Sequence, residues 1–114
     1  MIARGDVVWV DFGHPRGSEP AKRRPAIVLQ AEWLLESRLA TALVVPLTTN
    51  QSHAAFPGNV VIPTVASGLP SDSVALVAQL GPVDRTFFDP YPTGQLPRYL
   101  LGQVEAGVRL SIGL

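Results

Sequence analysis

Apolar positions along the chain fall into short runs, separated by clusters of Gly, Pro, Asn, Asp and Ser. That spacing suits strands better than helices. Val7 to Phe12 reads as a first strand, closed by Gly13-His14-Pro15, and Ala26 to Gln30 as a second, buried one. Ala31 to Arg38 carries helix-favouring Ala, Leu and Glu and predicts a short helical insert. Ala40 to Leu47 is a third strand, Gln51 to Gly58 a polar loop, and Asn59 to Pro63 a fourth strand. Gly68-Leu69-Pro70-Ser71-Asp72 is turn chemistry. Ser73 to Leu80 is a fifth strand that Gly81-Pro82 stops, and Asp89 to Gly94 is irregular. Pro97 suits the first turn of a helix running to about Leu110, in which Leu96, Leu100, Val104 and Val108 make one apolar stripe. Gly102 and Gly107 each cost that helix roughly 1 kcal/mol against Ala, so packing, including packing on a partner chain, has to stabilise it. The sum is one domain, residues 1–114, mainly β with a C-terminal helix, its five strands forming a small, strongly curled antiparallel sheet.

One polar segment breaks this pattern. Gly17-Ser18-Glu19-Pro20-Ala21-Lys22-Arg23-Arg24-Pro25 sets three consecutive cations and a carboxylate between two apolar strands. A strand does not readily start in such a charged, proline-flanked loop, which puts Arg24 on the loop at its junction with the second strand. There a guanidinium is held rigidly enough to grip a phosphate. From charge alone the same cluster reads as solvated surface.

The frame around the cluster resembles a known family. Arg4-Gly5-Asp6-Val7-Val8-Trp9-Val10-Asp11, then Gly17-Ser18-Glu19, then Arg24-Pro25 are similar to the opening of the MazF/PemK family of bacterial toxin endoribonucleases. Val44-Val45-Pro46-Leu47-Thr48-Thr49-Asn50, Pro57-Gly58-Asn59-Val60, Gly68-Leu69 before Asp72-Ser73-Val74-Ala75-Leu76, and Gln79 before Val83-Asp84-Arg85 continue the likeness in order over nearly the whole chain. The resemblance implies an SH3-like small antiparallel barrel of the MazF/PemK/CcdB type. It also implies the toxin of a type II toxin–antitoxin system: a sequence-selective, metal-independent endoribonuclease that cuts single-stranded RNA by 2′-hydroxyl attack, leaving 2′,3′-cyclic phosphate and 5′-hydroxyl ends.

Composition qualifies this reading. Apolar residues are 46% of the chain and charged ones only 16%, which leaves apolar surface for a partner to cover. Nine basic and nine acidic residues cancel, an unusual balance for a nucleic-acid binder, although Arg4, Arg16, Lys22, Arg23 and Arg24 all fall early in the chain and make a local patch. There are no cysteines, and His14 and His53 are the two histidines, each flanked by loop residues and suited to the surface rather than to a metal. No signal peptide or long apolar run is evident, so a cytoplasmic protein without membrane association is expected. No G-x-S-x-G element or Gly-rich phosphate loop is present.

The chemistry needs a group that neutralises a crowded phosphorane and a donor that fixes the phosphate oxygens. Carried over by motif, the resemblance implies Arg24 and Thr48 as the active pair, with Glu19 in support. It implies Ser73 and Gln79 as residues facing the RNA, a homodimer and a cognate antitoxin protein. The basic patch adds Arg16, Lys22 and Arg23 as expected RNA contacts, and the uncharged donors and acceptors Gln30, Thr49 and Asn50 complete them; no cofactor is expected. Read alone, Thr48 is a strand-end hydroxyl satisfying a turn, Glu19 a surface partner of Lys22 or Arg23, and Ser73 and Gln79 ordinary strand polarity. Trp9 is expected in core or dimer packing and Trp33 as an exposed aromatic. Ala78 and Gly81 stand where the family pattern carries an acid and a base, which removes two charges near the expected RNA groove. The competing reading is a non-catalytic SH3-like binding module or a CcdB-like gyrase-targeting toxin.

Overall fold

The computed structural model describes residues 2–114. Strand β1 (Asp6–Asp11) pairs antiparallel with β2 (Arg23–Val28), Val10 facing Arg24 and Val8 facing Ala26. The hairpin continues past the strands: the Phe12 N–H donates to the Lys22 carbonyl at 2.8 Å, and the Lys22 N–H to the Gly13 carbonyl at 2.6 Å. Lys22 takes a left-handed φ of 63°, which turns the basic loop out of the sheet. The expectation that the second strand starts at Ala26 is therefore corrected. It starts inside the charged cluster and Arg24 is a strand residue, because β1 supplies its hydrogen-bond partners. Pro25 is tolerated there, since β2 pairs with β3 (Thr41–Thr48) only over Ala26–Val28, after the missing N–H.

β3 is the centre of the sheet, which has seven strands rather than five. On one side it meets β2 and on the other both β5 (Ser73–Ala75) and β6 (Gly81–Asp84). Leu47 faces Ala75 and Val44 faces Gly81, so three steps along β3 are matched by six along its partner. The surplus bulges out as a 3₁₀ turn at Val77–Gln79, fastened by the Val77 N–H donating to Asn59 Oδ1 at 3.1 Å. This is why the sequence reads as one strand, Ser73 to Leu80, ended by Gly81-Pro82, while the structure makes two strands and starts the second at Gly81. The expected polar loop Gln51 to Gly58 likewise carries a 3₁₀ turn at Gln51–Ala55.

Helix α1 (Glu32–Leu35) is the expected insert, shortened; α2 (Thr64–Ser67) was not evident in the sequence. β4 (Val60–Ile62) ends one side of the sheet beside β5, and β7 (Gly94–Gln95) ends the other beside β1. The two ends meet through α2. The Thr93 hydroxyl donates to the Ser67 carbonyl at 2.8 Å, and a Cβ on Gly68 would overlap the Thr93 carbonyl. The sheet is thus curled into a half-barrel, whose open side is covered by α3 (Arg98–Ile112).

Alternation along β1, β2 and β3 sends side chains to two faces. Val7, Ile27, Val45 and Leu47 pack inward with Leu96, Leu100, Val104 and Val108, the stripe read from the sequence. Val8, Val10, Ala26, Val28 and Val44 pack outward under Leu35 and Phe88. Pro97 is the residue before the helix rather than its first turn. Gly107 is explained within the chain: a Cβ there would overlap the Gly58 carbonyl, so the helix approaches the β4 loop as only glycine allows, whereas Gly102 faces open space.

Candidate active site

The β2–β3 register decides where Arg24 goes. β2 and β3 pair as far as Ala26 and Pro46, and Arg24 and Thr48, each two residues beyond that pair, line one cleft. A cavity of about 280 Å³ opens there, lined by Arg24, Lys22, Arg23, Thr48, Thr49 and Ser73 with Trp9 and Leu47 behind them. No carboxylate or imidazole is among its lining residues.

Each side chain is held by its own strand end. Arg24 Nε donates to the Ala21 carbonyl at 3.2 Å, which restrains the guanidinium and leaves the two Nη groups uncommitted. The Thr48 hydroxyl accepts from the Asn50 N–H at 3.2 Å, so its own hydrogen is free to donate. Thr49 is exposed beside it. Ser73 lies at the cavity wall but is 1% exposed, its hydroxyl turned to the Ser71 carbonyl at 3.4 Å. Among the described residues the two ion pairs are Arg4–Glu105 and Arg23–Asp89, so Arg24 has no carboxylate on it.

Other residues expected at the site are placed elsewhere. Gln30 is corrected: it is 7% exposed, and its Oε1 accepts from the Leu43 N–H at 3.1 Å, so it finishes the β2–β3 ladder rather than facing RNA. Asn50 caps the following 3₁₀ turn, accepting from the Ser52 N–H at 3.1 Å. Arg16, Glu19 and Gln79 line a second, larger groove of about 830 Å³ between the β1–β2 loop and β6, together with Phe12, Leu80, Pro82 and Phe87. Ala78 and Gly81 are part of that wall and bring no charge to it. Asp84, on its rim, has its carboxyl held below the usual range first by the Thr86 backbone N–H and then by the Thr86 hydroxyl.

Sequence reasoning missed two features. Arg23 lies over the Trp9 ring, its Cζ 4.8 Å from the centroid, and its Nη2 reaches Asp89 Oδ2 at 3.1 Å. Alternation on β2, which points successive side chains different ways, is the signal that would have separated Arg23 from Arg24, although both line the cleft. Asp89 was read only as a residue of an irregular loop. Trp9 packs on the inner core as expected, and Trp33 is 71% exposed, also as expected. Among the described residues no group of three or more His, Cys, Asp or Glu is placed to hold a metal ion, and no helix is long and apolar enough to cross a membrane.

A curled antiparallel half-barrel with a C-terminal helix, carrying hydroxyl groups and an arginine free of any carboxylate in one cleft, defines a class of small, mainly β proteins. The model of PemK-like, MazF-like toxins of type II toxin–antitoxin systems matches residues 3–112, and the chain belongs to that family. Endoribonuclease MazF6 of Mycobacterium tuberculosis is 39% identical over 114 residues, covering 100% of this chain and 99% of the relative. Endoribonuclease toxin MazF of Escherichia coli is 40% identical over 76 residues, 67% of this chain and 62% of the relative. Among solved structures, an endoribonuclease in complex with its cognate antitoxin from a mycobacterial species superposes with a TM-score of 0.80 at 15% identity, covering 100% of this chain and 97% of that one. MazF from Deinococcus radiodurans does so with a TM-score of 0.78 at 23% identity, covering 96% and 94%. These likenesses establish the half-barrel as the fold of MazF toxins.

Proposed function

We propose that this chain, an endoribonuclease toxin of a type II toxin–antitoxin system, cuts single-stranded RNA in the Arg24–Thr48 cleft without a metal ion. The observation that carries this is that Arg24 and Thr48 line one cleft, with both Nη groups and the threonine proton unspent. A phosphodiester in the cleft places two non-bridging oxygens on the guanidinium fork and the Thr48 hydroxyl. Attack of the adjacent 2′-oxygen on phosphorus adds negative charge to those oxygens, and the always-cationic arginine opposes it most strongly in the transition state. The P–O2′ bond forms as the P–O5′ bond breaks, the 2′-hydroxyl gives its proton to water and the departing 5′-oxygen takes one from water, leaving a 2′,3′-cyclic phosphate and a 5′-hydroxyl. Lys22 and Thr49 extend the grip along the backbone, and Ser73 supports the cavity wall. Glu19 stands in the neighbouring groove, so its part is secondary and depends on the β1–β2 loop carrying it over.

The cleft offers cations and hydroxyls and none of the carboxylates that hard divalent ions require, which favours metal-free cleavage. Incubation of the protein with a long unstructured RNA in EDTA tests this. Discrete cuts with cyclic-phosphate ends are expected; loss of cleavage on chelation, restored by magnesium or zinc, overturns it.

The toxin acts where RNA is made and read, in the cytoplasm, with an antitoxin protein as its partner, as the solved mycobacterial relative has. Two copies of the chain associate through apolar side chains left exposed on and beside the segments that roof the outer face, Trp33, Leu39, Phe87 and Tyr91. Light scattering at micromolar concentration is expected to show twice the chain mass, and a stable monomer there contradicts it.

A further inference from the structure

Arg23 is the cation of the basic cluster that the cleavage reading leaves without a distinct task. Its charge is already met by Asp89 at 3.1 Å, so it is a poor candidate for another phosphate. Asp89 is itself fixed at three points: its N–H donates to the Trp9 carbonyl at 2.9 Å, Oδ1 accepts from the Tyr91 N–H at 3.0 Å, and Oδ2 takes the guanidinium. One side of the guanidinium lies over Trp9, and the side chain remains 58% exposed. The strand register places it next to Arg24 along the backbone, at the wall of the same cleft.

An arginine so arranged presents a flat, pre-ordered π-surface rather than a free charge. Unstacked bases of single-stranded RNA bind guanidinium planes as they bind aromatic rings. We propose that Arg23, laid on Trp9 and anchored by Asp89, is the stacking platform for one nucleobase beside the phosphate that Arg24 holds. Trp9 backs the platform and polarises it as a cation–π partner, and Asp89 is the positioning residue. The platform rests on the cleavage reading. It goes beyond it in making Arg23 a contact to a base rather than to the backbone.

The test separates a planar surface from a positive charge. The ligand is an RNA oligonucleotide spanning a mapped cut site, made non-cleavable by a 2′-deoxy nucleotide there, together with versions abasic at each flanking position. Arg23→Lys keeps the charge and loses the plane; Arg23→Ala loses both. Arg23 is exposed enough that both variants fold, which their melting curves check. At one abasic position the wild-type protein is expected to lose about tenfold in affinity, the usual scale for one stacked base. Both variants are expected to bind the intact oligonucleotide about tenfold more weakly and to be indifferent to that same abasic site. Asp89→Asn is expected to reduce the abasic effect without abolishing it. In cleavage, Arg23→Lys is expected to raise KM with kcat little changed.

Wild-type-like binding by Arg23→Lys, with a weaker Arg23→Ala whose salt dependence is shallower, makes Arg23 a phosphate contact and overturns the platform. An abasic penalty of equal size in all three proteins does the same while leaving the cleavage reading standing. If the wild-type protein neither binds nor cuts any single-stranded RNA, the cleavage reading and the platform fall together.

Discussion

Arg24 and Arg23 are neighbours in sequence and opposites in environment. Arg24 spends one N–H on the Ala21 carbonyl and keeps its fork free, whereas Arg23 is committed to Asp89 and Trp9. Arg24→Ala is therefore expected to lower kcat for RNA cleavage by about a hundredfold or more, the scale for removing one preorganised donor at a transition state, with the melting temperature little changed. Single-turnover cleavage of a defined RNA checks it; near-normal cutting by a folded variant reduces Arg24 to a surface cation. Thr48→Val is expected to cost about tenfold or more and Thr48→Ser much less, because the serine retains the proton that Thr48 has to give. Glu19→Gln is expected to cost less than tenfold, since Glu19 lines the other groove. A loss from Glu19→Gln as deep as that from Arg24→Ala would show that the β1–β2 loop closes over the cleft in the working enzyme.

At the scale of elements, the two glycines of α3 make opposite predictions. Gly107 lies where the helix crosses the β4 loop, and an added methyl would have to displace the Gly58 backbone and the Val77 side chain. Gly107→Ala is expected to destabilise the fold by roughly 1–3 kcal/mol, as overpacking does. Gly102 has nothing within reach of a Cβ, so Gly102→Ala is expected to stabilise by up to about 1 kcal/mol through helix propensity. Chemical denaturation of both variants at one protein concentration checks the pair. The sequence showed both glycines as equal costs, because propensity is local and close approach is not. The same distinction explains what else was legible. The α3 stripe, β1 and β3 announce themselves by periodicity. The β5–β6 break does not, because Ser73 to Leu80 reads as one strand, whereas the turn inside it is fastened by Asn59 from another element. Gln30 looked free because a polar residue closing an apolar run carries no sign of the Leu43 N–H that occupies it. Arg24 and Thr48 were found by motif, and their sharing one cleft follows from the pairing of β2 with β3, which no motif displays.

For the whole molecule, zero net charge leaves the affinity for RNA to local geometry. The basic segment holds Arg16, Lys22, Arg23 and Arg24, and from sequence all four count as phosphate ligands. The structure divides them. Arg16 faces a groove it shares with Asp11, Glu19 and Asp84, where phosphate is repelled as much as attracted. Arg23 is neutralised by Asp89. Lys22 and Arg24 remain to displace counterions. Each phosphate neutralised on a single strand contributes about −0.7 to the slope of log K against log salt, so two give a slope of roughly −1.4. Titrating a non-cleavable single-stranded RNA into the wild-type protein at several salt concentrations measures it. Lys22→Ala is expected to bring the slope to about −0.7 without changing which sites are cut, since backbone contacts position and do not specify. Arg23→Ala is expected to leave the slope nearly unchanged. A wild-type slope near −3 would mean that all four cations reach phosphate, that the Arg23–Asp89 pair opens on binding, and that the large groove carries backbone after all. A slope near zero would take the basic segment out of RNA binding altogether.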